Sequence, residues 1–477
     1  MPTTYDGVIL DQGGAVFNAK SSAYGAKGDG KIVYDGAINA SSTTLTSATA
    51  SFGSTDVGKL IVVKGAGASG VALSTTIASY INSTSVTLTS AAGTTVTGAK
   101  TVFGTNDTAA LQAAITAAAT GGTLLPGGTV LVVGVSLITS TLTVSPGVSI
   151  CGQRGVLVAA GAAFGPMLTL DGSGFGNRFG VLSDLQIDGN GIATVGLNVG
   201  LAVERDFRNL RVTGCTSVGT QIRGAQNCTF ISVNNEDNGT TGTYDTNLLL
   251  DLGAGNNAFL RCECSATTSA TNEGRYNLLI RQNGTSPSGA YVNGPEGNSF
   301  YRCIFERASS LFVAQVYSRA GRFNYFHNCS IGVDGTATIG VKADSGDASS
   351  GFLFFRDCQL SGGTNATAFN LSSFQPLVVA DTLVEGFTNG FYIDDSSFVE
   401  IQGRIDGLPT NMFVQPGGHT KNLSQLVTGS RIAVLSLDAS GSPVSNISNS
   451  SVQEYYNPAT KRRWLWDGGA WRYVQYT

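Results

Sequence analysis

Charged side chains are scarce in this chain of 477 residues: they make up 13% of it, where about a quarter is usual in globular proteins. Hydrophobic residues, at 42%, still suffice for a large core, which excludes a disordered chain. Ser, Thr, Asn and Gly must therefore cover the surface, and the 63 glycines fit a β-rich protein with many tight turns. A mainly α-helical protein is excluded.

Several functional signals are also missing. With a net charge of −4 and only short basic clusters, nucleic acid is not an expected partner. The start of the chain has no basic segment followed by an apolar stretch, and no apolar run approaches 18 residues, so neither a signal peptide nor membrane insertion is expected. Only two histidines and no Gly-x-Ser-x-Gly motif occur, which disfavours a Ser-His-Asp hydrolase. No cysteine or histidine spacing is typical of a metal site, and we predict neither metal nor cofactor.

A six-residue pattern recurs through the middle of the chain. It consists of an apolar residue, two residues of any kind, a Cys or aliphatic residue, any residue, and an apolar residue. Copies begin at Leu182, Phe207, Ala225, Phe259, Phe300, Phe326 and Phe355, and weaker ones at Val379 and Phe398. The mean interval of about 27 residues predicts the coils of a solenoid.

The residue before the Cys or aliphatic position is usually polar. These residues are Asp184, Asn209, Asn227, Arg261, Arg302, Asn328 and Asp357. Asn and Asp tolerate left-handed backbone, so the position predicts a corner between two short strands. The eight cysteines are then interpreted as buried thiols stacked inside the coils, with a metal site or a catalytic Cys as the alternatives.

A helix is predicted near the front of the chain, with its capped start at Asn106 or Asp107 and a Gly-Gly stop. Its apolar face is predicted to carry Leu111, Ala114, Ile115 and Ala118. Because a solenoid exposes its core at an open end, we interpret this helix as a cap.

Four segments give the chain a family resemblance. They are Tyr24–Gly30, Asn106–Ile115, Gly121–Thr123 and Leu142–Gly152. As a set, they make the chain resemble the pectate lyase-like superfamily of right-handed parallel β-helix proteins, in the branch of bacteriophage tailspikes and glycan-degrading proteins. The resemblance implies a parallel homotrimer in a virion tail, with bacterial surface polysaccharide and other phage tail proteins as partners. This fold carries lyases, hydrolases and binding proteins, so it leaves the chemistry open.

We therefore expect an all-β, right-handed parallel β-helix. The predicted parts are an N-terminal peptide at 1–16, a β-helix start at 17–35, an inserted Ser/Thr/Ala/Gly-rich β subdomain at 36–103, a capping helix and β-helix at 104–403, and a C-terminal β and aromatic cap at 404–477. In the family that the chain resembles, the Gly-Asp-Gly element is usually followed by the helix within a few residues, whereas here roughly 75 intervene, a length that chain entropy tolerates at a surface. We interpret the insertion as a part for packing or attachment, with a glycan site as the alternative.

Residues at equal positions of successive coils form lines about 4.8 Å apart on a solenoid face. The repeat displaces Glu263 from Glu306 by one coil and two strand residues, a backbone separation of about 8 Å. This lies within the roughly 6.5–9.5 Å of inverting glycosidases, so we predict these two residues as the catalytic pair. The alternative is a pair of solvated carboxylates that form ion pairs with Arg261, Arg302 or Arg307.

Other residues are predicted to bind substrate near this pair. They are Arg208, Arg211, Tyr301, His327, Arg275 and Tyr276. For His327, a hydrogen-bonded surface role is the alternative. A lyase would instead need a base, such as Arg275 or Arg319, and a group that neutralises a uronate. Acids in long loops, such as Glu273, compete for the catalytic role.

All three tryptophans, Trp464, Trp466 and Trp471, lie near the end of the chain. They predict a hairpin with a Gly-rich turn that begins at Asp467. Its aromatic residues are expected either to bind sugar rings or to seal the solenoid end or a subunit interface.

Three functions remain open. The first is a tailspike-like receptor-binding protein that cleaves a bacterial surface polysaccharide as a glycoside hydrolase, that is, a depolymerase. The second is a non-catalytic adhesin or structural tail spike. The third is a polysaccharide lyase that acts on uronate polymers, and the missing histidine motif disfavours a relative of the plant cell wall enzymes.

Overall fold

The computed structural model describes residues 3–5, 8–10, 15–119, 127–170, 177–239, 245–266, 276–282, 294–306, 313–319, 321–333, 339–344, 352–363, 365–372, 377–393, 399–406, 411–414, 420–421, 432–433, 454–457, 462–466 and 471–475. Within these ranges, no helix is both long and apolar enough to cross a membrane. The chain divides into two compact units, Met1–Asn247 and Leu248–Thr477.

The first unit contains two sheets whose parallel strands alternate along the chain. Its first sheet contains Val16–Asn18, Thr129–Leu131, Val135–Ile138, Ser149–Ala159, Val181–Asp188, Asp206–Thr213 and Thr229–Glu236. Its second sheet contains Leu142–Thr143, Phe164–Leu170, Ala193–Gly200 and Val218–Arg223. Two short strands, Asn177–Arg178 and Ala202–Val203, pair separately. Strands pair with the strand one coil later, as Leu182 does with Phe207, so the chain winds as a solenoid.

The second unit repeats this arrangement. Its first sheet contains Ala258–Leu260, Glu263–Ser265, Ser299–Tyr301, Ile304–Glu306, Asn324–His327, Ser330–Gly332, Leu353–Arg356, Gln359–Ser361, Leu377–Glu385, Val399–Asp406 and Ile432–Ala433. Its second sheet contains Thr246–Asp251 at the unit boundary, Tyr276–Ile280, Ala314–Ser318, Ile339–Asp344, Thr367–Ser372, Asn389–Ile393, Asn411–Val414 and Thr420–Lys421. Parallel pairing one coil apart, together with the right-handed sense of parallel crossovers, confirms the predicted right-handed parallel β-helix.

The predicted corners are confirmed by the backbone. Each predicted corner residue has left-handed backbone, with φ between 52° and 56°: Asp184, Asn209, Asn227, Arg261, Arg302, Asn328 and Asp357. A left-handed residue turns the chain between two strands, so the residue two positions before the corner and the residue directly after it can both point into the core, as Phe300 and Cys303 do.

One predicted copy of the repeat is wrong in register. Phe207 pairs with Phe230, and Leu210 pairs with Val233, so this coil's copy begins at Phe230 and not at Ala225. The predicted copy at Ala225 instead lies at a different corner of the coil, where Gln226 forms an isolated parallel β-bridge with Val203 and Asn227 comes next in the chain. A polar left-handed residue followed by Cys thus occurs at more than one corner of a coil. The weak copy at Phe398 lies outside the described residues.

Phenylalanine rings form a stack inside the second unit. Phe259, Phe300, Phe326 and Phe355 lie one coil apart, with centroids 4.5–4.7 Å apart and planes within 12° of parallel. Each ring is buried. The in-register strands hold identical residues above one another, and offset rings at this spacing pack favourably.

All eight cysteines are buried and free, as predicted. The thiols of Cys303, Cys329 and Cys358 each donate to the backbone carbonyl of the phenylalanine one coil earlier, at 3.4–3.5 Å. Burial raises the pKa of Cys303. These thiols therefore act as small packing groups with a weak hydrogen bond.

A ladder of buried asparagines, which sequence reasoning missed, runs beside this core. The Asn298 side-chain oxygen accepts from the backbone N–H of Asn257 at 3.2 Å and from its amide at 3.0 Å. The Asn298 amide donates to the carbonyl of Ala254 and to Asn324 Oδ1, both at 3.0 Å. The asparagine side chains thereby pair their own polar groups and also the backbone groups of neighbouring turns.

The capping helix is Thr108–Ala118, and its buried residues are those predicted: Leu111, Ala114, Ile115 and Ala118. The Asp107 carboxylate accepts hydrogen bonds from the backbone N–H groups of Lys27 at 2.7 Å and Gly28 at 2.8 Å. The Tyr24–Gly30 and Asn106–Ile115 motifs are therefore linked by hydrogen bonds, which explains why they occur together despite the long insertion between them.

The insertion forms a closed barrel, where the sequence predicts a β subdomain at 36–103. Its strands are Lys31–Ile38, Thr44–Thr46, Leu60–Val63, Leu73–Asn82, Ser85–Leu88 and Val96–Gly104, with 3₁₀ helices at Ser54–Asp56 and Ala68–Gly70. It has its own apolar core, in which the Phe52 and Phe103 rings lie 4.8 Å apart. An ion pair between Lys100 and Asp188 joins it to the β-helix of the first unit.

The remaining strands lie at the two ends of the chain. Thr3–Tyr5 and Val8–Leu10 form an antiparallel pair. Glu454–Asn457, Arg462–Trp466 and Trp471–Gln475 form an antiparallel sheet of three strands, in which Trp466 pairs with Trp471. The predicted C-terminal hairpin is confirmed by this backbone pairing.

Candidate functional site

The candidate site lies on the outer surface of the first sheet of the second unit. Phe300 and Phe326 point into the core, so their successors Tyr301 and His327 point outward. Tyr301 pairs with His327 one coil later and with Leu260 one coil earlier. The sequence-predicted line of outward residues therefore exists in this unit.

A pocket of about 290 Å³ lies along this line, beside the corner. It is lined by Leu260, Arg261, Tyr301, Arg302, His327 and Asn328. The rings of Tyr301 and His327 are stacked, with centroids 5.0 Å apart and planes 10° from parallel. With Tyr301 42% exposed, the outer edges of the two stacked rings line the pocket.

The imidazole of His327 is held in its neutral form. Burial is the largest effect and lowers the pKa of His327 below its usual 6.5; Cys329 raises it in part, the Arg356 guanidinium, paired in the next coil, lowers it, and Asp357 raises it least. At pH 7, His327 therefore offers one hydrogen-bond donor and one acceptor without charge.

We expect a titration midpoint below pH 6.5 for His327. Because the chain has only two histidines, their ring C–H resonances can be followed by NMR, and His327→Gln identifies the right one. Arg356→Gln should raise the midpoint, since it removes a nearby positive charge. A midpoint above 6.5 in the unmodified protein would contradict this account.

Further aromatic side chains extend the wall along the sheet. Tyr325 lies 6.2 Å from His327 and Phe354 lies 5.9 Å from it, measured between ring centroids. The Arg356 guanidinium lies over the Phe354 ring at 5.5 Å. Phe323, 50% exposed, continues the surface. A run of partly exposed rings is typical of a binding face.

Both predicted catalytic carboxylates lie on the outer surface of the same sheet, past the corner. Glu263 pairs with Ile304, and Ser265 pairs with Glu306, so the displacement is the expected one of one coil and two residues. Their neighbours Cys264 and Phe305 are buried, which leaves both carboxylates outward and partly exposed. Ser265 Oγ donates to Glu263 Oε1 at 3.0 Å and orients that carboxylate.

The Glu306 side chain packs against a glycine of the next coil. The next coil carries Gly332 at the neighbouring position, where an added Cβ would lie 3.1 Å from the Glu306 Cβ. The Glu306 carbonyl is itself held by the buried amide of Asn277 at 3.2 Å. The backbone of Glu306 is thus anchored, while its side chain borders a position without a side chain.

The predicted arginines Arg208 and Arg211 lie in the first unit. Arg208 forms an ion pair with Asp206, and Arg211 Nη2 lies 2.7 Å from Glu236 Oε2. The bond to Glu236 raises the pKa of Arg211. Both guanidinium groups are therefore already neutralised by an acid of their own unit.

Other predicted residues lie elsewhere. Tyr276 is on the second sheet, 5% exposed, with its ring 4.9 Å from that of Tyr317. Arg275 and Glu273 fall outside the described residues. The backbones of Trp464, Trp466 and Trp471 lie in the C-terminal sheet. In the described ranges, no group of three or more His, Cys, Asp or Glu residues is placed to hold a metal ion.

Sequence reasoning missed the two corner arginines as members of the pocket. The sequence pattern predicts Arg261 and Arg302 as corner residues and as alternative ion-pair partners for Glu263 and Glu306, yet neither forms an ion pair with any described residue, and both line the pocket. A signal was present in the sequence, because arginine occupies a corner position where most coils have Asn or Asp.

No protein-family model matches the chain, and no curated protein matches it in sequence. Among solved structures, it is similar to ORF18 of Geobacillus virus E2, with 16% identity, a TM-score of 0.47, and coverage of 78% of this chain and 84% of that one. It is also similar to the surface adhesin PfbA of Streptococcus pneumoniae, with 11% identity, a TM-score of 0.42 and coverage of 78% and 96%.

A third similar structure is the endo-xylogalacturonan hydrolase from Aspergillus tubingensis. Its identity is 13% and its TM-score is 0.42, with coverage of 66% of this chain and 91% of that one. The three proteins are a viral protein, an adhesin and a hydrolase. At 16% identity or less, none of them assigns a function to this chain, whose right-handed parallel β-helix rests on its own strand pairing.

Proposed function

We propose that the protein is a tailspike-like protein that binds a bacterial surface polysaccharide and hydrolyses it on the outer surface of the second unit. The observation that carries this proposal is the pair of outward carboxylates, Glu263 and Glu306, on the same sheet as the pocket walled by Tyr301 and His327. Sugar rings pack their C–H faces on aromatic rings, and two carboxylates supply the acid and base of glycoside hydrolysis. The front motifs Tyr24–Gly30 and Asn106–Ile115 support the tailspike part.

In the proposed reaction, one carboxylic acid protonates the glycosidic oxygen while the other carboxylate removes a proton from the attacking water. We give the base role to Glu263, because Ser265 Oγ orients its carboxylate. Glu306 then is the acid. One coil and two strand residues separate the two backbones by about 8 Å, which predicts inversion at the anomeric carbon. NMR of the first products would measure this outcome.

The same proposal places the chain in a virion tail as a homotrimer next to other tail proteins. The low charged fraction of 13% supports close packing of subunits, since few charges need to be desolvated. Light scattering on the purified protein should then give three times the 49.1 kDa chain mass. A mass of a single chain at micromolar concentration would contradict the trimer but leave the rest of the proposed function untouched.

The first experiment is a panel of purified bacterial surface polysaccharides incubated with the protein. New reducing ends without absorbance from unsaturated uronates would support hydrolysis. Reducing ends with that absorbance would instead support the lyase. If no polysaccharide of the panel is bound or cut, the proposed function is wrong.

Tyr301→Ala should weaken polysaccharide binding roughly three- to tenfold, because one exposed stacking ring contributes about 0.5–1.5 kcal/mol. Calorimetry or biolayer interferometry measures this change. Tyr34→Ala is the matched control, since Tyr34 is 70% exposed on the barrel. Equal losses in both variants would argue against a binding role of the pocket.

A non-catalytic adhesin is the second candidate. It is favoured by the run of rings formed by Phe323, Tyr325 and Phe354, which extends beyond the carboxylates and needs no acid or base to bind a glycan. Binding without any release of reducing ends would decide for it.

A further inference from the structure

The corner position of each coil is demanding, because its residue must adopt left-handed backbone. In most coils of the first sheet, a short polar residue occupies it: Asp184, Asn209, Ser232, Asn328, Asp357 and Asp381. Asn and Asp adopt this conformation at the lowest cost among residues with a side chain. Arginine has no such advantage, yet Arg261 and Arg302 occupy the position in two successive coils.

These two arginines lie side by side. They directly follow Leu260 and Tyr301, which pair with each other, and the backbone N–H of Arg261 donates to the Tyr301 carbonyl at 2.9 Å. Neighbouring strands are about 4.8 Å apart, and like charges on adjacent strands repel. Both side chains are exposed.

No acid of the described chain compensates this repulsion. Neither Arg261 nor Arg302 forms an ion pair there, whereas Arg208, Arg211, Arg281 and Arg319 all do. Strained residues with uncompensated charge are typical of binding sites, where the ligand supplies the missing partner. The partner must therefore be anionic.

The rest of the pocket limits what kind of anion fits. Its wall is the edge of the stacked Tyr301 and His327 rings, continued by Leu260 in the preceding coil. The imidazole is neutral at pH 7, because burial and Arg356 lower the pKa of His327. A ligand that fills this pocket has an apolar ring face for the wall and a negative group for the two guanidinium groups.

We propose that this pocket binds a carboxylated sugar residue, a uronic or nonulosonic acid of the polysaccharide, with its carboxylate between Arg261 and Arg302 and its ring against Tyr301 and His327. Arginine binds planar carboxylates with paired hydrogen bonds. This inference rests on the proposed function, to which it adds the class of polysaccharide.

The test uses the full chain and four polymer probes: polygalacturonate, hyaluronan, polysialic acid and poly(glycerol phosphate). Each carboxylated polymer is also converted to its carboxyl-reduced, neutral form. We expect at least one native carboxylated polymer to bind roughly tenfold or more tightly than its reduced form, since charge-assisted hydrogen bonds are strong. Added salt should weaken that binding.

The double variant Arg261→Gln/Arg302→Gln should lose roughly tenfold or more in affinity for that polymer and little for its reduced form. Arg154→Gln is the matched control, because Arg154 is also exposed and also has left-handed backbone, at φ 66°, but lies in the first unit. Circular dichroism verifies that both variants are folded.

Each result has a defined meaning. Equal binding of native and reduced polymers, or unchanged affinity of the folded double variant, overturns the carboxylate site while the polysaccharide function stands. Preference for poly(glycerol phosphate) over every carboxylated polymer overturns the choice of carboxylate as the anion. If the protein cleaves only neutral polysaccharides, the carboxylate site is likewise overturned. If it binds no polysaccharide at all, both the carboxylate site and the proposed function are overturned.

Discussion

Glu306→Gln should reduce the rate of polysaccharide cleavage by about 10²–10⁴-fold, because the variant cannot protonate the glycosidic oxygen and general acid catalysis contributes this much. Gln has nearly the shape of Glu, and the backbone of Glu306 is held by Asn277, so the fold and the affinity for substrate should be retained. The measurement is the initial rate of reducing-end release at saturating polysaccharide.

Glu263→Gln should give a similar loss, since it removes the base. The two losses should not add in the double variant, because the residues act in one step. A matched control is Glu385→Gln: Glu385 is an exposed carboxylate of the same sheet that accepts a hydrogen bond from Gln359 at 3.0 Å. The control should cleave at the unmodified rate.

Activity within threefold of the unmodified protein in both folded Glu variants would remove these residues from the mechanism. The solvated ion-pair alternative would then depend on Arg307, which lies outside the described residues, because neither Arg261 nor Arg302 pairs with an acid of the described chain. Acids such as Glu273, outside the described residues, would then be the next to replace.

The second large effect concerns stability. Asn298→Leu should lower the free energy of unfolding by about 3–5 kcal/mol, because several buried donors and acceptors lose their partner and each orphan costs about 1–3 kcal/mol. Asn298 is fully buried between Asn257 and Asn324, and its amide also holds the Ala254 carbonyl. Urea unfolding followed by circular dichroism measures the shift in the midpoint.

Asn370→Leu is the control for that variant, because Asn370 is a partly exposed residue of the second sheet. Its replacement should change stability by about 0.5 kcal/mol or less, as usual for surface positions. If Asn298→Leu is as stable as this control, the buried ladder does not stabilise the coils.

Much of the β-helix could be predicted from local patterns in the sequence. A polar residue that has an apolar residue two positions before it and a Cys or aliphatic residue directly after it identifies a corner, and the backbone confirms it at Asp184, Arg302 and Asn328. The helix face that begins with Leu111 followed from a spacing of three and four residues. These features were readable because each depends on a few neighbouring residues.

The candidate site was predicted only in part. The line through Tyr301 and His327 and the displacement of Glu306 from Glu263 follow from the repeat, because it is correct over these coils. The copy at Ala225 is wrong, since two corners of a coil share one local signature and parallel pairing joins residues far apart in the chain. No local pattern distinguishes such corners.

The sequence by itself thus determined a solenoid of short strands with buried thiols and polar corners, because alternation and backbone preference are local properties. Only the tertiary structure decided which charges are compensated. It neutralises Arg211 with Glu236, 25 residues later, and leaves Arg261 and Arg302 beside an aromatic wall. The physical reason is that coil length varies with the loops, so the partner of an outward side chain is set by the register of strands that pair across the fold.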